Sequence, residues 1–464
     1  MAAIVRNEIS SSGRPTSIVF LASFIGTCIE QYDFQLYGLA AALVFGKLFF
    51  PTFDPLVGSI AAFGTLAVGY IARPLGGVVC GHFGDRVGRR STLLATLLTM
   101  GLATFLIGSM PTYAAIGVWA AVGLVLLRFV QGLALGGEQS GAILIAVENA
   151  PARKRGLYGS WPQAGIAGGV LLATAAMSLT TAWLSDAELL GWGWRIPFLA
   201  SIALVVLGVV VRVKLDETPV FEGLQHAGIR ASIPLAVLLR QYRKELLVAF
   251  CARLAETTWI VLALVFTASY ISGPLGLPTT VALHPITAGA ALSLVMTPVF
   301  GALSDRVGRK PVYLAGAVLA VLSAWPYFHV LDTKDPLLIG AAIVVAEGLL
   351  WPMMLGPQGG LFAELFGTRV RYSGVALSQQ VAAVIGGGFT PLIASVLLSW
   401  SDGRPSYVAC YMIVLGLIAI RAIWSTRETR KVDLAEADVA DGHLGDGRFA
   451  GLPVTDGGSA AVRR

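Results

Sequence analysis

The chain has 464 residues, of which 56% are hydrophobic and 13% charged, against roughly 25% charged in soluble domains. With a mean hydropathy of +0.75 it has too little polar surface to cover a water-soluble globule, so lipid must be the solvent for much of it. The net charge of +6 is no nucleic-acid footprint, because most Lys and Arg sit in short links without aromatic interleaving or a basic helix face.

The first stretch, Met1 to Thr16, is polar and lacks a cleavage-site pattern, so no removable signal peptide is expected. A bilayer span needs about 20 mostly apolar residues. Twelve runs meet that measure: 18–46, 57–80, 92–110, 116–148, 157–183, 194–213, 245–271, 281–303, 311–331, 337–363, 371–399 and 406–425. They are longer than barrel strands and apolar on all sides, which predicts helices. The even-numbered links carry Arg86, Arg89, Arg90, Arg153, Lys154, Arg155, Arg212, Lys214, Arg230, Arg240, Arg243, Lys244, Arg306, Arg309, Lys310, Arg369 and Arg371; the odd ones carry only Lys47, Arg195, Lys334 and Arg404. That bias places the even links and both termini in the cytoplasm.

The expected division is an N-terminus (1–17), a first six-helix half (18–213), a central loop (214–244), a second half (245–425) and a tail (426–464). The central loop contains a turn at Asp216-Glu217-Thr218-Pro219. The tail is rich in Gly, Asp, Ala and Arg, which predicts disorder, and it has no heptad pattern. The four cysteines, Cys28, Cys80, Cys251 and Cys410, lie in or beside apolar runs without metal-ligand spacing and read as small core residues. Gly132-x3-Gly136, Gly165-x3-Gly169 and Gly386-Gly387-Gly388 suit close approach of membrane helices.

One charged link recurs. Gly81-His82-Phe83-Gly84-Asp85-Arg86-Val87-Gly88-Arg89-Arg90 returns 220 residues on as Gly301-Ala302-Leu303-Ser304-Asp305-Arg306-Val307-Gly308-Arg309-Lys310. Glu148, Arg153 and Arg155 return 216 residues on as Glu364, Arg369 and Arg371. Two halves built on one plan are expected. An Asp in such a link can accept from backbone N–H groups at a helix start or from an Arg of its own loop. Gly81, Asp85, Arg86, Gly88, Arg89, Glu148, Arg155, Asp305, Arg306, Arg309, Glu364 and Arg371 are therefore expected to form a cytoplasmic latch; plain topology anchoring is the alternative.

Ionisable groups at membrane depth are costly, and each is a functional candidate. Glu30, Asp33 and Tyr37 share one face of the first helix. Arg128 and Glu138 lie about 15 Å apart along the fourth. Arg253, Glu256 and Trp259 share a face of the seventh; Glu347, Trp351 and Gln358 lie on the tenth, Gln379 and Gln380 on the eleventh. A carboxyl removed from water resists ionising and can carry a proton from one side to the other. An embedded Arg stays charged and pairs strongly with carboxylates. Glu30, Asp33, Arg128 and Glu138 are the expected proton-coupling set. Arg128 and Arg253 are expected to clamp an organic anion, with Tyr37, Gln163, Glu256, Trp259, Trp351, Gln358 and Gln379 completing the substrate site. The alternatives are a permanent ion network that only orders the bundle and, for Arg253 with Glu256, a local helix pair.

The paired link resembles the G-x-x-x-D-R-x-G-R-R/K signature of the major facilitator superfamily, over about Ile18 to Thr426. Several strings are similar to its metabolite:proton symporter family, whose members include shikimate, 2-oxoglutarate, citrate and proline/betaine permeases. They are Gly-Thr-x-Ile-Glu-x-Tyr-Asp-Phe at 26–34, Arg-Pro-Leu-Gly-Gly at 73–77, Gly-Gly-Glu at 136–138, Gly-Trp-Arg-Ile-Pro-Phe at 193–198 and Glu-Thr-Pro-Val-Phe at 217–221. Residues 158–163 and 368–374 resemble its shikimate-permease end, and Arg128 with Gln131 and Gly132 is similar to a fourth-helix motif tied to proton coupling. Gln31 and Gln139 depart from the family, which commonly has aromatics there.

The resemblance implies an all-helical membrane protein of two pseudo-symmetric six-helix bundles, in a bacterial cytoplasmic membrane. It would act as a monomer, importing a small organic acid with protons by alternating access. No cofactor is expected beyond the proton gradient, and no metal. A zwitterion carrier or an efflux pump remain alternatives within transport. A non-transporting sensor or an enzyme is the remote alternative: the tail does not read as a signalling domain, and His82, His226, His284, His329 and His443 are scattered and form no nucleophile–base or metal set, so an enzyme is not expected.

Overall fold

The computed structural model describes residues 16–87, 89–136, 139–148, 150–213, 235–367 and 370–432. Twelve long helices follow one another. The first half holds α1 (16–49), α2 (Pro55–Val87), α3 (Arg89–Ser109), α4 (Val118–Glu148), α5 (Arg155–Trp183) and α6 (Arg195–Val213). The second holds α7 (Arg243–Ser272), α8 (Thr280–Val307), α9 (Arg309–Asp332), α10 (Pro336–Leu365), α11 (371–400) and α12 (Ser406–Trp424). Among the described residues nine of these are long and apolar enough to cross a bilayer. A tenth is α6 together with the bent Asp186–Gly193 before it, and α3 contains a shorter apolar helix, Leu94–Ser109. The polar middle of α1, from Glu30 to Gln35, lowers its hydropathy without interrupting the helix.

Local sequence explains the joints. α10 starts at an Asp335 cap whose carboxylate accepts from the Leu337 and Leu338 N–H groups, with Pro336 in the first turn. α8 and α9 are separated by Gly308 alone, at φ +124°. Glycine tolerates that region because it has no Cβ, so the Gly of the repeated link serves a one-residue joint. Helices α1, α7, α10 and α11 each contain a π turn, at Ala41–Phe45, Leu262–Phe266, Ala346–Leu350 and Val384–Phe389.

The glycine pairs behave as packing devices. A Cβ at Gly132 would collide with the Gly69 carbonyl, and one at Gly136 with that of Arg73, so α2 and α4 touch backbone to backbone. Gly165 and Gly169 admit Phe24, Thr27 and Gln31 of α1, and Gly387 and Gly388 admit the Tyr70 ring from the other half. Cys28 and Cys251 are buried as expected, whereas Cys410 is exposed on α12; the Cys80 side chain lies outside the described residues.

Two expected boundaries move. The central loop was expected to run to 244, but Leu235–Gln241 is a helix and α7 starts at Arg243. Leu238 there is fully buried and Tyr242 packs on Phe366, so an apolar face found cover. The tail was expected to be disordered from 426, yet residues 426–432 lie against the bundle with Thr429 only 1% exposed. Their polar groups are bonded to the latch described next. The remainder of the expected loop and tail, 214–234 and 433–464, lies outside the described residues.

Candidate functional site

Buried charge gathers at mid-helix. In the first half, Glu30, Asp33, Arg73 and Arg128 are each no more than 4% exposed. The Arg128 guanidinium lies 3.7 Å from the Phe34 ring centre and 4.1 Å from that of Tyr37; the Arg73 guanidinium lies 4.0 Å from Phe34 and 4.7 Å from Tyr70. Aromatic faces stabilise such cations without neutralising them. Arg128 also donates to Gln131 at 3.0 Å, and Gln131 donates to Thr104 at 2.6 Å. Asp33 has Thr104 and Arg128 as polar neighbours, and Glu30 lies within reach of the Arg73 charge. Tyr37 is seated by a 2.6 Å bond to Thr65.

The second half answers with a closed set. Arg253 donates to Glu256 at 2.9 Å and to Gln358 at 3.4 Å, Trp351 donates to Glu256 at 2.5 Å, and Thr257 donates to the same carboxylate at 3.2 Å. The Arg253–Glu256 pair is thus the local i, i+3 bridge, tied into tertiary structure by Trp351 and Gln358. Trp259 donates to the Ala346 carbonyl. Arg73 and Arg253 are buried cations of opposite halves, 4% and 7% exposed. Gln163 and Gln379 are buried with neither amide atom bonded among the described residues, as is the Gln358 amide nitrogen.

At the end carrying the repeated links, Asp305 accepts from the Gly156 and Leu157 N–H groups, both at 2.8 Å, in the first turn of α5. That is an anion on a helix N-terminus, contributed across the halves. Fully buried Arg309 donates to Asp305 at 2.7 Å and to both oxygens of Glu364 at 3.2 and 3.1 Å. Arg371 reaches Glu148 at 3.2 Å, again across the halves. The segment 426–432 closes the set. Glu428 accepts from the Arg309 and Lys310 N–H groups, Thr429 donates to Glu364 at 2.7 Å, and Arg155 donates to the Val432 carbonyl at 2.8 Å. Arg306 is exposed; its carbonyl accepts from Arg430. At the opposite end Ser178 of α5 meets Thr287 of α8 at 3.3 Å.

A family model for the Major Facilitator Superfamily matches residues 23–387 and, again, residues 246–456. The chain belongs to the major facilitator superfamily. It is 41% identical over 401 residues to the shikimate transporter of Escherichia coli (strain K12), spanning 86% of this chain and 92% of that one. It is 40% identical over 422 residues to an inner membrane metabolite transport protein of the same organism, spanning 90% and 95%. These relatives fit the metabolite:proton symporter family. The fold matches the crystal structure of a D-xylose-proton symporter with a TM-score of 0.70 at 20% identity, covering 90% of this chain and 99% of that one. This facilitator is therefore a twelve-helix, multi-pass transporter of small metabolites and not an enzyme.

Within the facilitator's expected proton-coupling set, Glu30, Asp33 and Arg128 come together and Glu138 lies outside the described residues. Of the latch set, Gly81, Asp85, Arg86, Gly88 and Arg89 lie outside the residues whose side chains are described; the ion pairs described involve the second copy, with Glu148 and Arg155 of the first half. Tyr37 and Trp259 are buried with their polar atoms bonded inside their own halves. Sequence reading passed over Arg73, which the structure buries against Phe34 and Tyr70, the latter ring reaching α11 of the other half. Its signal was present: a lone cation 18 residues into a long apolar helix is costly unless used.

Proposed function

We propose that this facilitator is a proton-coupled symporter importing a small organic acid, of the shikimate-like, aromatic or dicarboxylic kind, across the bacterial cytoplasmic membrane. It would work as a monomer with both termini inside, driven by the proton gradient alone. One observation carries the reading: buried guanidiniums stand in both halves, Arg73 and Arg128 in the first and Arg253 in the second. A carboxylate bound by cations of both halves joins the bundles.

Charge balance supplies the coupling. Glu30, Asp33 and Glu256 face Arg73, Arg128 and Arg253, three carboxyls against three cations, all buried. An incoming anion leaves this poorly solvated site with one excess negative charge, at a cost of several kcal/mol. A proton on Asp33 or Glu30 restores neutrality, so anion and proton travel together. Asp33 is the better carrier: its counter-charge Arg128 is bound to aromatic faces and Gln131 rather than locked to it. Gln163, Gln358 and Gln379 supply donors and acceptors for substrate hydroxyls. The latch closes the inner side until α5 and α8 part.

The test is uptake by purified protein in proteoliposomes across labelled shikimate-like, aromatic and dicarboxylic acids and a betaine. Uptake of one acid, accelerated by an inside-alkaline gradient, is expected. Uptake indifferent to the gradient would refute coupling, and preference for betaine over every acid would refute the anion site.

A further inference from the structure

Glu347 takes no part in that charge balance. It sits on the π turn Ala346–Leu350 of α10, fully buried, about one turn from the helix middle. Neither carboxyl oxygen has a hydrogen-bond partner among the described residues, and no cation among them acts on it. From α8 it is faced by Gly289, where an added Cβ would lie 2.9 Å from Oε2. From α7 it is faced by Trp259, whose indole N–H goes to the Ala346 carbonyl. From α9 comes Tyr327, the titratable group among the described residues that faces it, whose hydroxyl pairs with Thr267 at 2.9 Å.

The repeat explains this isolation. The 216-residue offset that relates Glu148 to Glu364 also relates Gln131-Gly132 to Glu347-Gly348. In the first half Gln131 is held by Arg128 and Thr104. The same offset puts Val344 where Arg128 stands, and the 220-residue offset of the signature links puts Ala324 where Thr104 stands. The second half therefore keeps a polar group at this position, changes it from amide to carboxyl, and removes both partners. An uncompensated carboxylate there is costly, while an acid with no bond to break gains or loses its proton whenever the pocket meets water.

We propose that Glu347 is a proton-binding site of the second half, separate from Glu30 and Asp33, which adds one proton to each transport cycle. This rests on the symport reading above. The test is infrared difference spectroscopy of the reconstituted protein across pH, with the reversal potential of uptake measured in the same vesicles. Wild type is expected to show a protonated-carboxyl band that titrates; Glu347→Gln loses that band and carries one proton fewer per substrate. Glu347→Asp, which keeps the acid should the amide variant fold poorly, retains a titrating band at a shifted position. A band that no pH removes, spectra identical in wild type and Glu347→Gln, or an unchanged proton count would each overturn the proposal. Should wild-type uptake ignore the gradient, the symport reading falls while the titrating band still decides for or against a proton at Glu347.

Discussion

The middle of the bundle and the latch end are both crowded with buried charge, and they are finished differently. At the latch the buried carboxylates are saturated. Both oxygens of Asp305, Glu364 and Glu428 accept hydrogen bonds, and Arg309 spends its whole guanidinium on Ser304, Asp305 and Glu364. In the middle, both carboxyl oxygens of Asp33 and Glu347 and both amide atoms of Gln163 and Gln379 have no hydrogen bond among the described residues. A saturated network has one preferred arrangement and is made or broken as a unit. An unsaturated one keeps valences for partners that come and go. The latch is thus read as a two-state fastener, and the centre as a site completed by its cargo.

Four substitutions break or sharpen that contrast. Arg128→Gln strands Asp33 without its counter-charge and empties the space over Phe34 and Tyr37. Losing one partner of a buried ionic arrangement costs about 3–5 kcal/mol, so uptake at matched expression should fall by more than ~100-fold; full activity would return Arg128 to a packing role. Asp305→Asn turns one acceptor into a donor aimed at the α5 N–H groups. A hydrogen bond to a charged group contributes about 2 kcal/mol, so the closed-to-open ratio, read from spin-label distances across α5 and α8, should drop ~30-fold; an unmoved distribution would show that the latch carries no switch. Asp33→Asn should leave substrate exchange intact and abolish gradient-driven accumulation, a loss of about tenfold per pH unit for one proton. Persistence of that accumulation would move the coupling to Glu30. The smallest effect is expected of Thr429→Val, which removes one bond to Glu364 for about 1 kcal/mol. The same labels should then shift about fivefold toward the open form, and no shift would make 426–432 a passive cover.

Much of this was legible in the chain. Hydropathy gave twelve spans, since lipid imposes one rule on every helix, and the paired links gave the two halves. The shared face of Glu30, Asp33 and Tyr37 followed from helical periodicity. Arg73 was missed because it stood within a family string and was weighed as resemblance rather than as a charge at depth. Residues 426–432 were missed for a different reason. Composition reports that Glu428, Thr429 and Arg430 are polar, but their partners, Arg309, Lys310, Glu364 and the Arg306 carbonyl, lie more than sixty residues away in sequence. The clamp expected of Arg128 and Arg253 is a pairing across two halves, which spacing along a single helix does not encode.

The Tyr70 ring of α2 lies in the shallow slot that Gly387 and Gly388 leave in α11. Any rocking of one bundle against the other must drag that ring along the groove, and a groove floored by backbone offers nothing for it to catch on. The two glycines then act as a bearing surface. A methyl group placed there would do to turnover what grit does to a hinge, with every charged residue of the centre untouched.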